Sequence, residues 1–398
     1  MTTLSVVIPA FNEERGIADI IQRTLAVKPR LPSVGVAELE LLVVDDGSRD
    51  RTAEIAGCIE GIRLIRHERN RGYGAALKTG FRSARGELLG FLDADGTYPP
   101  EHFPELCAAA LNGAELVIGS RMNGAESKMP ITRRIGNLFF AGLLSLMGRQ
   151  HVTDTASGMR VFRREVLERV LPLPDGLNLT PVMSTRAIHE GVVMKELPIP
   201  YDERVGRSKL SVVRDGRLFL NSMIWTVLSY NPVRIFGLIG LAGLGFAGLV
   251  GAGTVIARLI GITTLGPLGV AAVYAALVAA VGGVSVFALG ATFNYLVSLV
   301  AARPIRQGLF GRPLFTPSLD HHFAWLGTLA LGIGLAIAGV SLVLGLNGWE
   351  IARLWLYLLG SAMLILLGVQ LVTYWLLMRV LEELSQRDSL MAQDMNGD

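Results

Sequence analysis

Charged residues are scarce in the second half of this 398-residue chain, and their absence there divides the sequence in two. Asp, Glu, Lys and Arg are frequent up to Arg234, whereas Arg258 is the only charged residue between Ile235 and Ala302. This shift excludes one evenly charged globular domain and indicates a soluble domain followed by a membrane domain. The long apolar stretches also lack ionisable residues at their centres, which argues against an ion or proton pathway through them.

Cysteine and net charge are low as well. Cys58 and Cys107 have no metal-ligand spacing, which fits a reducing compartment and two small buried apolar residues. The formal net charge of +3 is too small to indicate nucleic-acid binding. The N-terminus lacks a basic segment followed by a long apolar stretch, so we expect no signal peptide and a cytoplasmic first domain.

Four apolar stretches are long enough to cross a hydrocarbon core of about 30 Å, which takes about 20 helical residues. The predicted spans are Ile235–Ile256, Leu268–Leu289, with a helix that can continue to Leu299, Phe323–Leu346 and Leu354–Met378. Lys and Arg are concentrated in the loops on one side of these spans, which predicts a multi-pass protein with both termini in the cytoplasm. Four of the five tryptophans lie near span ends, as in an aromatic belt.

The segment Ser211–Tyr230, just before the first span, mixes basic residues such as Arg214 and Arg217 with apolar ones such as Ile224 and Trp225. We predict one or two interfacial helices on the cytoplasmic leaflet, and the alternative is an amphipathic helix packed against the soluble core. The predicted domains are a soluble domain 1–210, interfacial helices 211–230, a four-helix membrane domain 231–380 and a cytoplasmic tail 381–398.

The first domain alternates short apolar strands with helical segments. Leu4–Pro9 and Leu39–Val44 lack polar alternation, as strands covered on both faces do. Further strands are predicted at Ile62–Ile65, Leu88–Leu92 and Leu116–Ile118. This order predicts a Rossmann-like α/β domain with a mostly parallel sheet and helices on both faces. Ligands of such sheets bind beyond the carboxyl ends of the strands, where the polar motifs of this domain fall.

Three polar motifs precede the one that carries the chemistry. They are IPAFNEE (8–14), VVDDGSRDRT (43–52) and NRGYGAALKTGF (70–81). Asp45 and Asp46 can accept hydrogen bonds from ribose hydroxyls or a base edge, whereas helix capping explains Asp50. The glycines of the third motif lack the GxGxxG spacing, so no separate dinucleotide site is predicted.

The fourth motif, GFLDADGTYPPE (90–101), places two carboxylates at the end of an apolar strand. Asp93 and Asp95 are separated by one residue, so both emerge at the strand tip within reach of one cation. Hard oxygen ligands favour Mg²⁺ or Mn²⁺, which bind one or two carboxylates together with substrate phosphates. Such a pair alone is usually a solvated turn, but its place after a buried strand and the preceding motifs makes the metal prediction strong.

The ordered motifs resemble those of the family-2 glycosyltransferases, and within them the dolichyl-phosphate mannose synthases and their polyprenyl-phosphate relatives. The series also includes GSR (119–121), TDTASGMRVFRREVLE (153–168) and ELPIPYDERVGRSKLS (196–211), and it covers nearly all of residues 4–230. The resemblance implies a GT-A fold and an inverting transfer. The donor would be a nucleotide sugar of GDP-mannose or UDP-glucose type, and the acceptor undecaprenyl or dolichyl phosphate on the cytoplasmic leaflet.

The resemblance also implies roles for individual residues. Those matched to nucleotide-sugar binding are Pro9, Phe11, Glu13, Val44, Asp46, Asp93, Ala94, Asp95, Arg121, Arg204 and Lys209. Metal binding falls to Asp93 and Asp95, with Asp95 as the direct ligand and Thr97 as a weak third one. Gly96-Thr97-Tyr98 departs from the family's usual residues, and the gap from Arg204 to Lys209 is one residue short, so mannose is not carried over as the sugar.

A phosphate acceptor needs placement more than it needs a base, because a monoester with a second pKa of about 6 is already largely dianionic. The cationic candidates for holding it are Arg121, Arg133, Arg134, Arg204 and Lys209. A metal on the two aspartates would neutralise the leaving diphosphate. Asp154 can orient the acceptor, act as a base or hold Arg160, and these alternatives stay open.

Two other functions are alternatives to this one. A processive polysaccharide synthase typically carries a Gln-x-x-Arg-Trp motif, and no Arg-Trp pair occurs in the chain. Alternatively, the four helices form a lipid-sugar flippase or a partner-binding module fused to the enzyme, although nothing in them specifies a partner. Whether the chain forms a homo-oligomer stays open.

Overall fold

In the computed structural model the chain forms two compact units, Met1–Val227 and Leu228–Asp398. The residues that the structure describes are 2–122, 129–147, 152–202, 212–262, 264–301, 319–349 and 351–396.

The first unit is built on a seven-stranded sheet, counted over the described residues, in the order β3-β2-β1-β4-β6-β5-β7. The strands are β1 Thr2–Ala10, β2 Val36–Asp45, β3 Ile62–Arg66, β4 Leu88–Leu92, β5 Leu116–Ser120, β6 Met159–Arg163 and β7 Met194–Pro198. β6 lies antiparallel between β4 and β5, and the other pairs are parallel. The mostly parallel sheet and its first five strands agree with the sequence prediction. β6 and β7 were not predicted, because their charged residues interrupt the apolar run.

Helices cover both faces of this sheet. They are α1 Ile17–Leu25, α2 Thr52–Gly57, α3 Tyr73–Ser83, α4 Phe103–Leu111, α5 Ile131–Met147, α6 Arg164–Val170, α7 Leu179–His189 and α8 Val212–Leu228. On one face, Ile20 and Ile21 of α1 pack with Phe103 of α4. On the other, Phe81 of α3 packs with Met183 of α7. β1, β4, β5 and the second half of β2 are therefore buried on both sides, which explains their apolar runs, whereas β3 and β7 are only partly buried.

The segment just before the first apolar span forms a single helix, α8, that packs against the first unit. Met223 is fully buried in the second core cluster, and the ring of Phe219 lies 6.2 Å from that of Phe140. Asn178 donates a hydrogen bond to the hydroxyl of Ser222 at 2.7 Å. The opposite face remains open, with Trp225 64% exposed. The helix thus has the core contacts of the alternative interpretation, while its place on a leaflet stays a prediction.

The second unit contains four helices that are long and apolar enough to cross a membrane. They are α9 Pro232–Leu259, α10 Pro267–Ala301, α11 Phe323–Leu346 and α12 Ile351–Asn396, and each contains one predicted span. The second helix does continue past Leu289, and the fourth extends through most of the predicted tail.

Glycines bring these helices together in two pairs. A Cβ on Gly240 of α9 would lie 2.5 Å from the carbonyl oxygen of Gly283 on α10. Likewise, a Cβ on Gly327 of α11 would lie 2.9 Å from the carbonyl oxygen of Gly368 on α12. Helices in lipid associate through such close backbone contact, because apolar side chains gain little by leaving an apolar solvent.

The two cysteines differ in their surroundings. Cys107 on α4 is buried, as predicted, and burial raises the pKa of its thiol to about 12. Cys58 is exposed, so the prediction of two buried cysteines is wrong for this one. Its position just after the last residue of the short helix α2 places it outside the packed face.

Gly80 marks a close approach of α3 to the sheet, since a Cβ at this position would overlap Cγ1 of Val7. We predict that Gly80→Ala lowers the free energy of unfolding by about 1–3 kcal/mol through overpacking. Gly57→Ala is the matched control, because its Cβ would meet only Leu64 Cδ2 at 3.6 Å. Thermal unfolding of the purified chain measures both variants, and equal stability would contradict the prediction.

Candidate active site

The loops after β1 and β2 are joined by hydrogen bonds from the predicted motifs. The backbone N–H of Asn12 donates to the hydroxyl of Ser48 at 2.9 Å, and that of Arg49 donates to the Asn12 side-chain oxygen at 2.8 Å. The backbone N–H of Glu13 donates to the Thr52 hydroxyl at 2.8 Å. Asn12 has a φ of 52°, a left-handed conformation that asparagine tolerates. These bonds hold the two strand ends together around one cavity.

This first cavity has a volume of about 520 Å³ and lies at the carboxyl ends of the first strands. Its lining residues are Phe11, Asp45, Gly47, Ser48, Arg49, Arg66, His67, Glu68, Arg69 and Asn70. An aromatic ring, carboxylates and arginines are chemically suited to a base, a ribose and phosphates. Phe11, which was matched to nucleotide-sugar binding, lines this cavity. The residues from Arg66 to Asn70, at the end of β3 and in the loop after it, line it too and were not assigned from the sequence.

Asp46 is buried and bonded within the protein. Its carboxylate accepts hydrogen bonds from the backbone N–H groups of Arg71 and Gly72 at 2.9 and 2.8 Å. The His67 ring joins Asp46 at 2.7 Å through Nδ1 and Thr79 at 3.0 Å through Nε2. Asp46 thus shapes the loop that begins α3, and its predicted contact with a nucleotide stays a prediction.

Three other residues matched to nucleotide binding also lie at strand ends. Pro9 and Val44 are buried in the sheet, and the side chain of Ala94 is buried beside the metal motif. The structure places Asp45 in the first cavity, next to the predicted Asp46. A side-chain period of two residues explains why neighbours at a strand end point to opposite sides.

Asp93 and Asp95 line a second cavity of about 180 Å³. The hydroxyl of Tyr73 donates to Asp93 Oδ1 at 2.7 Å, and burial together with the Asp93 charge raises the pKa of Tyr73. A Cβ on Gly158 would overlap the Asp93 carboxylate, so only glycine leaves room for it. Asp95 Oδ1 accepts from the hydroxyl of Thr97 at 2.6 Å. Thr97 therefore orients Asp95, and its role as a metal ligand stays a prediction.

The two aspartates fit a metal ion that the substrate helps to hold. Within the described ranges there is no group of three or more His, Cys, Asp or Glu residues that could hold a metal. Mg²⁺ commonly uses one or two carboxylates and takes its other ligands from substrate phosphates and water. The donor set of Asp93 and Asp95 matches that pattern.

Arg121 and Asp154 form a buried ion pair in the wall of the second cavity. The guanidinium donates to both carboxylate oxygens at 2.8 and 2.7 Å, and the backbone N–H of Arg121 adds a third bond at 3.0 Å. Burial opposes ionisation of Asp154, but Arg121 outweighs it and holds the pKa of the carboxyl below its usual range. The rings of Tyr98 and Tyr201 flank the guanidinium at 5.8 and 5.4 Å.

The structure pairs Asp154 with Arg121, a contact outside the three alternatives that the sequence offered, so its predicted role toward the acceptor stays a prediction. Glu196 of β7 accepts the backbone N–H groups of Thr153 and Asp154, each at 2.8 Å, and fixes the loop. Arg160 instead donates to the carbonyl oxygen of Thr155 at 2.7 Å, and burial lowers its pKa to about 10. Both oxygens of Asp154 are thus engaged, which leaves it poorly placed to act as a base.

Among the residues that the structure describes, no other predicted phosphate-binding cation lines the second cavity. Arg134 is exposed on α5 and is absent from the cavity lining. Arg204, Lys209 and the side chain of Arg133 lie outside the described residues. Their predicted roles toward donor and acceptor phosphates stay predictions.

Several neutral residues of the site were not assigned from the sequence. They are Tyr73, Tyr98, Gly158 and Tyr201, together with residues of α5 and α8 in the cavity wall. All four lie inside the motifs quoted above, so their positions were available. Their chemistry was not, because an uncharged tyrosine or glycine gives no catalytic signal without its neighbours.

Comparisons with known proteins agree with this geometry. The model of glycosyl transferase family 2 matches residues 5–171, and a domain of unknown function (DUF8752) matches residues 232–392. A dolichyl-phosphate hexose transferase from Haloferax volcanii is 34% identical over 221 residues, which cover 56% of this chain and 92% of that protein. The chain belongs to glycosyltransferase family 2. The predicted enzyme class and GT-A fold class are thereby confirmed.

Other relatives of this family-2 glycosyltransferase extend the comparison. An undecaprenyl-phosphate 4-deoxy-4-formamido-L-arabinose transferase from Edwardsiella ictaluri is 31% identical over 317 residues, covering 76% of this chain and 91% of that one. Among solved structures, a glucosyl-3-phosphoglycerate synthase from Mycobacterium tuberculosis, in complex with Mn²⁺, UDP and phosphoglyceric acid, is 23% identical with a TM-score of 0.47. The match covers 57% of this chain and 78% of that one.

Tyr73 is expected to hold the Asp93 carboxylate in its working orientation. Tyr73→Phe removes the 2.7 Å hydrogen bond, and a bond to a charged group is worth about 1.5–3 kcal/mol. We predict that kcat/KM for the sugar donor in this family-2 glycosyltransferase falls about tenfold or more. Tyr357→Phe, at an exposed tyrosine of α12, is the control. Steady-state sugar transfer checks this, and wild-type kinetics in Tyr73→Phe would contradict it.

Asp154→Asn is expected to leave the Arg121 charge buried without its counter-ion. We predict that the free energy of unfolding at neutral pH falls by about 3 kcal/mol. Because the pKa of Asp154 is lowered in the folded state, its contribution persists above the ordinary carboxyl pKa of about 3.9 and is lost below it.

Unfolding of wild type and Asp154→Asn over a pH series measures this difference. It should stay constant from neutral pH to about 5 and shrink as the pH falls through 4 and below. A difference that already shrinks between pH 7 and 5 would contradict a permanently ionised Asp154.

Proposed function

We propose that this glycosyltransferase transfers a hexose from a nucleotide sugar to a polyprenyl phosphate, with inversion and with a divalent metal, at the cytoplasmic leaflet. The observation that carries the proposal is the composition of the second cavity. Its charged lining consists of Asp93, Asp95, Arg121 and Asp215. Phe140 of α5 and Phe219 of α8 belong to its apolar lining. A lipid phosphate combines these two chemistries in one molecule.

The donor side of the proposal rests on both cavities. The first offers Phe11 and Asp45 to a nucleoside, and the second offers Asp93 and Asp95 to the metal of a diphosphate. Mg²⁺ or Mn²⁺, when bound by these aspartates, supplies Lewis-acid stabilisation of the leaving diphosphate. Tyr73 and Thr97 then serve to keep the two carboxylates oriented before the donor arrives.

The acceptor side rests on Arg121. Asp154 fixes its guanidinium, so little side-chain freedom remains to be lost when a phosphate binds. A phosphate monoester is largely dianionic at neutral pH, with a second pKa of about 6, and therefore needs orientation rather than deprotonation. Attack by its oxygen on the face of the anomeric carbon opposite the diphosphate gives inversion. No carboxylate base is required, in agreement with the engaged state of Asp154.

The outer surfaces of α5 and α8 support an acceptor in a membrane. Ile131 of α5 is 74% exposed, and Ile135 and Phe139 continue the same apolar face. On α8, Trp225 is exposed near the C-terminal end and Arg214 is exposed near the N-terminal end. Amphipathic helices with exposed aromatic and basic residues lie at lipid interfaces. The names of the dolichyl-phosphate and undecaprenyl-phosphate transferase relatives point to the same class of acceptor.

The test incubates the purified chain with labelled GDP-mannose, UDP-glucose and related donors, with undecaprenyl or dolichyl phosphate, and with Mg²⁺, Mn²⁺ or a chelator. We expect one donor to give a polyprenyl-linked monosaccharide of inverted configuration, and the chelator to abolish it. Asp95→Asn should reduce transfer by about 100-fold or more, as expected for loss of a metal that stabilises charge. Asp19→Asn, an exposed aspartate on α1, should not change it.

The product distinguishes this function from its rivals. A polymer would identify a processive synthase and overturn the proposal. Absence of lipid-linked sugar with every donor, or full activity in folded Asp95→Asn, would also overturn it.

A further inference from the structure

Two glycines in helix interiors line the same cavity as the catalytic aspartates. Gly136 lies on α5 and Gly216 on α8, and both belong to the lining of the second cavity. A Cβ built at either position would have no atom of the described residues within 4 Å. The two positions therefore border open space within the cavity wall.

Packing does not explain these glycines. Gly80 of α3 is required because a Cβ would overlap Val7, but Gly136 and Gly216 have no such neighbour among the described residues. Glycine is also the poorest helix former after proline, so both positions weaken their helices. The second glycine of α5, Gly142, is open too, but it is not part of the cavity lining. What distinguishes Gly136 and Gly216 is that the missing side chains widen the cavity.

The neighbouring aromatic pair shows where this widening lies. Phe140 follows Gly136 by one turn of α5, and Phe219 follows Gly216 by about one turn of α8. The two rings contact each other at a centroid distance of 6.2 Å and join the helices at that level. One turn before this contact, Gly136 and Gly216 present no side chain to the cavity, while Asn137 and Asp215 beside them also belong to its lining.

We propose that Gly136 and Gly216 form the passage for the apolar chain of the acceptor lipid where it leaves the phosphate. The passage makes them specificity-determining residues, because the isoprenoid stem of a lipid whose phosphate lies near Arg121 can pass only if no side chain fills this part of the wall. This inference rests on the proposed function. It adds that acceptor selection depends on two absent side chains, and that donor binding does not.

The test compares Gly136→Leu and Gly216→Leu with Gly142→Leu in the full chain. Titration calorimetry with GDP or UDP measures donor-site binding, and release of nucleoside diphosphate without acceptor measures donor hydrolysis. We expect both to stay at wild-type values in all three variants. Transfer to undecaprenyl phosphate should fall about tenfold or more in kcat/KM in the two cavity variants, as for other added groups in a fitted pocket. Gly142→Leu should retain transfer.

Alanine variants separate a passage from a structural role. Gly136→Ala and Gly216→Ala should raise the melting temperature, because alanine favours the helix and meets no neighbour. We expect the same variants to lower lipid transfer, so stability and activity move in opposite directions. Wild-type lipid transfer in both leucine variants would overturn the inference, as would an equal loss of nucleotide binding. If wild type transfers sugar to no polyprenyl phosphate, the proposed function itself fails, which is a distinguishable result.

Discussion

The ion pair between Arg121 and Asp154 is the interaction on which the arrangement of the site depends. It joins the end of β5 to the loop before β6, and Glu196 of β7 holds that loop by two backbone hydrogen bonds. Three strands at the far side of the sheet thus meet at one buried cation. A buried guanidinium needs acceptors within the protein, and Asp154 supplies them for Arg121, so the residues around this pair have little freedom to change.

Much of the soluble fold could be predicted because β1, β4, β5 and the second half of β2 are buried on both faces and form apolar runs. β3 is only partly buried but is recognisable by its Ile and Leu residues. β6 and β7 escaped this reading. Arg160 interrupts the apolar pattern of β6, and Lys195 and Glu196 interrupt that of β7, although Arg160 is fully buried. Its burial is made acceptable by backbone carbonyls that only the folded chain supplies. A charged residue usually indicates an exposed position, and the buried Arg160 of β6 is an exception to this pattern.

The site was predictable in its ionic parts and not in its neutral ones. Asp93, Asp95 and Arg121 could be found because their spacing carries a chemical meaning. The partners that orient them, Tyr73 and Gly158, have roles that exist only in contact with Asp93. The same limit applies to Asp154, whose ion pair with Arg121 was not among the three alternatives that the sequence offered.

The four apolar helices combine two kinds of contact that differ in strength and specificity. Glycine contacts join α9 to α10 and α11 to α12, whereas the hydroxyl of Ser285 on α10 bonds the side-chain oxygen of Gln370 on α12 at 3.0 Å. In hydrocarbon, neither polar group has water as an alternative partner. The bond between Ser285 and Gln370 and the contact between the rings of Phe287 and Phe323, with centroids 6.4 Å apart, join α10 to the second pair of helices. Such a hydrogen bond is directional, whereas the packing of apolar surfaces is not, so Ser285 and Gln370 favour one register of α10 against α12.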